Sequence, residues 1–285
     1  MDWLQPWRRK AEKAVGETLQ GEIATSVHVL DGRLGQEDAW FASHLDQAAV
    51  QCLEFLAEAG VALQDRRVCD IGCGDGLIDA GILQRSAARE FVGFDIAPGG
   101  SAALHQALKR HGYSTDSLSN FRMVQSGVTS IPSPDHYFDV AVSWSAFEHV
   151  ADPTALLREV RRILVPGGVL FLQLWPFFWL QHGTHLWQWF PDGYANQLHT
   201  DAEIQARLTR DSETDPGWKQ MMFDAYSTLN RFTVRDLEAS LIDAGFEVKR
   251  FQLLTDTIQI PDNAEWCSSV DRAISGVKLV ATPAG

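Results

Sequence analysis

The chain has 285 residues, 45% hydrophobic and 21% charged, with a formal net charge of −13 at pH 7. That length supports one large α/β domain or two small ones around a substantial core. The acidic balance, with no basic run longer than Arg8-Arg9-Lys10, lacks the electrostatic footprint of a protein that grips nucleic-acid phosphates.

Residues 1–36 are weakly patterned and broken by Gly16, Gly21, Gly32 and Gly35, so they read as an N-terminal extension in which Trp3, Leu4 and Trp7 pack a short helix on the body. From Gln36 to Ala59 a helical stripe of Trp40, Phe41, Leu45, Ala48, Ala49, Cys52, Leu53 and Leu56 ends at Gly60. Val68 to Ile71 is then a first strand, meeting glycines at 72, 74 and 76 before a helical pattern begins.

A regular alternation follows. Strands are expected at Phe91 to Asp95, Phe121 to Gln125, Phe138 to Ser143 and Val169 to Leu174. Helices are expected at Ser101 to Arg110 and after Asp152-Pro153, an acid N-cap with proline at the first helical position. Trp175 to Phe190 carries four of the ten tryptophans and opens an insertion over residues 175–231, with a helix-like piece at Ala202–Arg210. The pattern resumes with a helix at Val234 to Ala244, capped by Thr233, a sixth strand at Phe246 to Leu254, and an antiparallel seventh from Val277 to Thr282 at the sheet edge. The expected fold is α/β: a doubly wound, seven-stranded, mostly parallel sheet in one domain over residues 37–285, with an aromatic-rich insertion after the fifth strand as a substrate lid.

The cysteines, Cys52, Cys69, Cys73 and Cys267, match neither a disulfide framework nor a zinc spacing. No apolar run reaches the roughly 18 residues of a membrane span, and no signal peptide is visible, so the expectation is cytoplasmic with no membrane span.

The glycine turn invites a nucleotide, because it brings backbone N–H groups close to a ligand at a helix N-terminus. A dinucleotide fingerprint spaces its glycines G-x-G-x-x-G, whereas position 77 here is Leu and the third glycine comes one residue early. Asp70, on the strand just before the turn, would repel a pyrophosphate and suits a cationic amino group.

Five ordered segments carry a resemblance: Val68-Cys-Asp-Ile-Gly-Cys-Gly-Asp-Gly76; Phe91-Val-Gly-Phe-Asp-Ile96, with Asp95 nineteen residues after Gly76; Tyr137-Phe-Asp-Val-Ala-Val-Ser143 with Phe147-Glu-His-Val150; Arg158 to Gly168; and Phe232-Thr-Val-Arg-Asp-Leu with Ala244-Gly-Phe-Glu247. Together they resemble the class I S-adenosylmethionine-dependent methyltransferases, with a Rossmann-like fold. The resemblance implies S-adenosyl-L-methionine as cofactor. Asp70 would attract the methionine ammonium, while Gly72, Cys73, Gly74 and Gly76 would let the backbone approach the methionine and ribose. Asp95 would accept from both ribose hydroxyls, Ile96 would cover the adenine, and Ser143 would meet the ligand through its carbonyl or side chain.

Two departures stand out. The acid that often binds the adenine amine is replaced by Gly127, leaving Ser126 or backbone groups near Gly127 and Val128 for that task. Some quinone-type members carry a glutamate three residues before the Glu-His pair to bind a divalent ion; here it is Ser145, and no metal is expected.

His149, after the fourth strand, and His182 and His185, in the insertion, are the candidate bases, since a neutral imidazole suits proton abstraction from a hydroxyl. Each also has a structural reading, as a loop or surface histidine. The tryptophans read either as packed core or as a lid. The implied reaction is O-methylation of a small-molecule acceptor, or of a lipid or glycan intermediate. A non-catalytic S-adenosylmethionine-binding partner protein and a nicotinamide-dependent oxidoreductase are the alternatives.

Overall fold

The computed structural model describes residues 41–262 and 268–285; the expected N-terminal extension, Trp40 and Cys267 lie outside the described residues. A π-helical stretch, Ser43–Ala48, runs into α1 (Ala49–Glu58). The alternation that follows is β1 (Arg67–Ile71), α2 (Leu77–Arg85), β2 (Glu90–Asp95), α3 (Ser101–Arg110), β3 (Phe121–Gln125), β4 (Phe138–Trp144), α4 (Pro153–Ile163) and β5 (Leu164–Leu174). After β5 come α5 (Ala195–Leu198), α6 (Asp201–Arg210), α7 (Pro216–Thr228), α8 (Val234–Asp243), β6 (Phe246–Thr255), α9 (Ser269–Ala273) and β7 (Ile274–Pro283).

The strands form one sheet in the order β3-β2-β1-β4-β5-β7-β6. The first five run parallel, and β7 is antiparallel to both β5 and β6. The chain order reverses beside β1, which puts a ligand crevice at the carboxyl ends of β1, β2 and β4. The expected seven-stranded fold is therefore present, with one correction. β7 is not at the edge but inserts between β5 and β6. Its residues from Ile274 to Ala281 are buried, a pattern only an interior strand satisfies, whereas β6 alternates and takes the edge.

Two apolar layers sandwich the sheet. One packs α4 and α8 through Leu157, Val160, Leu237 and Leu241; the other packs the π-helical stretch, α1 and α2 through Leu45, Leu56, Ile82 and Leu83. Local chemistry fixes the helix starts. Asp152 accepts from Ala155 N–H at 2.9 Å ahead of Pro153, and Thr233 and Asp236 close a reciprocal capping box on α8. The segment after β5 has its own core, built from Phe178, Leu186, Trp189, Phe190, Ile204, Leu208 and Tyr226. Within it, α7 was not legible as a helix from the sequence, although Asp215 caps it ahead of Pro216.

Candidate active site

The glycine turn is built to fold back on itself. Gly72 and Cys73 both donate to the Phe94 carbonyl, at 2.7 and 3.1 Å, which ties the turn to the end of β2. Gly72 sits at φ +85°, and a Cβ there would lie 2.3 Å from the Ala146 Cβ, so only glycine fits between β1 and the loop after β4. Gly76 N–H donates to Cys73 O at 2.9 Å, and Leu77 N–H to Asp75 Oδ1 at 3.0 Å. The N-terminal donors of α2 that a phosphate would need are thus partly engaged, and four carboxylates (Asp70, Asp75, Asp79, Asp95) surround the turn. This electrostatic setting favours a cation over a pyrophosphate.

Asp95 is half-buried, at the C-terminal end of β2. Its Oδ2 accepts from Gly74 N–H at 3.0 Å and its Oδ1 from Ala97 N–H at 2.8 Å, which fixes the plane of the carboxylate. Each oxygen retains a lone pair for a further donor. Beside it, Ile96 and Val128 are largely exposed at neighbouring strand ends, 57% and 66% respectively.

Asp70 is 3% exposed, and its Oδ1 has no hydrogen-bond partner. Burial raises its carboxyl to about 7; Asp79 moderates the rise and the Asp95 charge adds to it. Asp79, fully buried in the first turn of α2, is held well above the usual carboxylate range by burial and then by the Asp70 charge. An orphaned buried carboxylate oxygen fits a ligand that brings an ammonium.

At the predicted adenine edge the sequence expectation narrows. Ser126 N–H donates to Asp95 O at 2.8 Å and Gly127 N–H to Ser130 O at 2.9 Å, so neither backbone donor is available there. A Cβ at Gly127 would meet Ser130 Oγ at 2.3 Å, so any larger residue there requires that hydroxyl to move. Ser143, expected at the ligand through its carbonyl or side chain, has a fully buried hydroxyl that donates to Ile71 O at 2.7 Å and ties β4 to β1.

A cavity of about 460 Å³ opens from Gly72, Cys73, Gly74 and Asp75 of the turn. Its far wall carries Trp144, Trp175, Trp187, Trp218 and Met222, with Glu148, His149, Gln173 and His185 as polar groups. The aromatic run therefore divides: Trp175 and Trp187 face the cavity, while Phe178, Trp189 and Phe190 are core of the inserted segment. The candidate bases divide too. His149 and His185 line the cavity with rings stacked 5.6 Å apart, whereas His182 does not line it.

Burial brings His185 down to about 3, with His149 adding to the effect, and it lowers His149 and His182 as well. Glu148 is 3% exposed, and burial pushes it up to about 8. Ligand atoms of Glu148, His149 and His185 all lie within 4.8 Å of one another. The sequence expectation of no metal rested on Ser145. That residue instead donates through Oγ to Gln173 Oε1 at 2.7 Å, and the third member of the cluster arrives from the insertion.

Asn230 was missed by sequence reasoning. Its side chain donates to Phe147 O at 2.6 Å and Val150 O at 3.0 Å, and its backbone N–H donates to Glu148 O, so it pins the turn that carries Glu148 and His149. No local signal marks it, because its partners are 80 or more residues away in sequence. Among the described residues, no helix is long and apolar enough to cross a membrane.

Comparison with known proteins gives a consistent result. A family profile described as a methyltransferase domain matches residues 41–250. A ubiquinone biosynthesis O-methyltransferase from Cereibacter sphaeroides is 27% identical over 206 residues, covering 66% of this chain and 76% of the relative. Another protein of that name, from Xanthomonas oryzae, is 34% identical over 114 residues, covering 40% of this chain and 45% of its own. Among solved structures, an S-adenosylmethionine-dependent methyltransferase from Methanosarcina mazei aligns with a TM-score of 0.50 at 21% identity, covering 80% of this chain and 97% of that one, a likeness of fold.

Proposed function

The chain belongs to the class I S-adenosylmethionine-dependent methyltransferases, and from that premise we propose that it methylates an oxygen of a small molecule held in the tryptophan-lined cavity. The observation that carries this reading is the continuity of one cavity from the glycine turn to Glu148, His149 and His185. The cofactor, when bound, supplies an electrophilic methyl group on sulfur. Asp70 and Asp95 would hold it at its methionine end and its ribose: the ionised Asp70 beside the ammonium, and the Asp95 carboxylate, already oriented by Gly74 and Ala97, at the ribose hydroxyls.

Residues 175–231 act as the lid of a single domain over residues 37–285. Their tryptophans exclude water and press a planar or apolar acceptor toward the turn. Glu148, His149 and His185 stand at the acceptor end as the ionisable groups that activate its hydroxyl; His182, away from the cavity, has no part in this. An oxygen acceptor agrees with the O-methyltransferase names of the curated relatives. Among the described residues that line the cavity there is no Lys or Arg, which favours a neutral or cationic acceptor over an anionic one.

The test is transfer of labelled methyl from S-adenosylmethionine to a panel of phenols, alcohols, carboxylates and amines. Labelled methyl ethers from the hydroxyl compounds are expected. Labelling confined to amines would overturn the oxygen assignment. Cofactor binding with no transfer to any acceptor would favour the non-catalytic partner.

A further inference from the structure

We propose that Gln173 and Gln51 set the acceptor specificity of the cavity, their amide N–H groups binding uncharged oxygen atoms that the acceptor carries besides its reacting hydroxyl. That these amides meet an acceptor rests on the methyl-transfer reading; their orientation does not.

Gln173 lies near the C-terminal end of β5, is 2% exposed and lines the cavity. Its Oε1 accepts twice from Ser145, from the backbone N–H at 2.9 Å and from Oγ at 2.7 Å. A backbone N–H can only donate, so the amide oxygen must be the atom that faces Ser145. These are the side chain's hydrogen bonds among the described residues, which leaves Nε2 with its N–H donors for an occupant of the cavity. The contact is rigid at both ends. Ser145 is held at φ +47°, and its N–H also donates to the Gln173 main-chain carbonyl at 3.0 Å.

Gln51 repeats the device from α1. Its Oε1 accepts from the Lys278 ammonium, which has donors only, so its amide orientation is fixed as well. Lys278 faces Gln173 in the β5–β7 ladder, is 8% exposed, and holds its Nζ 5.1 Å from the centre of the Trp144 ring. Trp144 and Gln51 line the cavity, whereas Lys278 does not. The cation of this sheet face is thus kept behind an indole and an amide. Neutral donors reach the acceptor in place of a charge, which suits ketone, ester, amide or ether oxygens better than carboxylates or phosphates.

The tryptophans add to the same polarity. Trp175, Trp187 and Trp218 line the cavity, and the indole N–H of each is buried with no hydrogen-bond partner among the described residues. An indole nitrogen only donates. A wall rich in unpaired donors penalises an occupant without lone pairs, because each donor left unmatched keeps its desolvation cost. Glu148, His149 and His185 already stand where the reacting hydroxyl is activated, so the amides serve other oxygens of the acceptor.

The experiment is calorimetric titration of the full chain, saturated with S-adenosylhomocysteine, with 2-, 3- and 4-hydroxyacetophenone and with the matching isopropylphenols. Each pair shares one outline and differs in a carbonyl oxygen. Apolar transfer alone favours the isopropyl compound, so a preference for the ketone reports a donor. Wild type is expected to bind at least one ketone about 5-fold or more tightly than its isopropyl partner. Gln173→Glu keeps an oxygen for Ser145 and puts an acceptor where the donor stood; it should abolish the preference while leaving the isopropylphenol affinity close to wild type. Gln173→Leu should abolish it too, and Gln51→Met should reduce it. A merely structural role would weaken both members of a pair alike. Circular dichroism confirms that each variant is folded. A wild type with no ketone preference, or with no binding of any probe, would overturn the proposal, as would a preference retained by both Gln173 variants. If S-adenosylhomocysteine itself does not bind, the methyl-transfer reading fails; if it binds and the ketone preference is absent, this proposal alone fails.

Discussion

The backbone N–H of Gly74 donates to the carboxylate of Asp95 at 3.0 Å, joining the glycine turn after β1 to the acid that ends β2. Turn and acid are therefore one unit. With Ala97 holding the other oxygen, the carboxylate is held in a fixed plane. Asp95→Asn replaces one of those acceptor oxygens by a donor and removes the charge. It should weaken S-adenosylhomocysteine binding by roughly 10- to 100-fold, the worth of a charge-assisted hydrogen bond of about 1.5–3 kcal/mol. Calorimetric titration checks this, with circular dichroism as the control for folding.

Asp70 gives the site a pH dependence with a definite sign. Its folded-state value of about 7 exceeds that of an unfolded carboxylate, about 3.9. Between those values the folded chain binds more protons than the unfolded one, so the ligand-free protein loses stability as pH rises from about 4 to about 7. An ammonium beside ionised Asp70 works in the opposite direction. The rise in melting temperature caused by S-adenosylhomocysteine should therefore grow between pH 6 and pH 8, and Asp70→Asn should flatten that dependence.

Asp79 provides the contrast. Burial, and after it the Asp70 charge, disfavours its ionised form, so Asp79→Asn copies the form its surroundings favour. That variant should keep cofactor affinity near wild type at pH 7, whereas Asp70→Asn should lose roughly 100-fold, about 3 kcal/mol for removing one partner of a buried pair. Parallel calorimetry on the two variants distinguishes the acid that serves the ligand from the acid that only fills space.

Gly72 tests the close approach of β1 to the loop after β4. In Gly72→Ala the new methyl would sit 2.3 Å from Ala146 Cβ at a φ of +85°. Strain of that kind costs about 1–3 kcal/mol before any clash is counted. Urea unfolding should show a loss of at least that size, together with weaker cofactor binding.

Asn230→Ala should leave the buried Phe147 and Val150 carbonyls short of their donor, at about 1–3 kcal/mol. Because it positions the Glu148-His149 turn without touching the glycine turn, the acceptor KM and kcat should change while the calorimetric affinity for S-adenosylhomocysteine stays close to wild type. Asn230→Asp, which keeps an oxygen but loses the amide donor, should not restore activity.

Most of the sheet was legible because its signals are local. Apolar runs at β1, β2 and β4, the Asp152-Pro153 start and the Thr233 cap each act within a few residues. The glycine turn and Asp95 were legible for the same reason. The misplaced seventh strand shows the limit: strand order depends on which strand can be buried on both faces, a property of the assembled layers.

The acceptor end was less legible still. His149 and His185 are neighbours only because the insertion folds over the turn after β4, and Asn230 pins that turn from 80 or more residues away. The hydroxyl of Ser143 closes on Ile71 O within the sheet, a partner 72 residues away that no local signal marks. The buried Asp79 gave no sequence signal beyond an acid in a first helical turn, where acids are common.

The most direct test is a crystal structure of the chain with bound S-adenosylhomocysteine. The ribose hydroxyls are expected on Asp95, the ammonium beside Asp70, and the sulfur directed into the cavity toward Glu148, His149 and His185. A sulfur pointing away from that cavity, or a ligand bound elsewhere than at the glycine turn, would contradict the account.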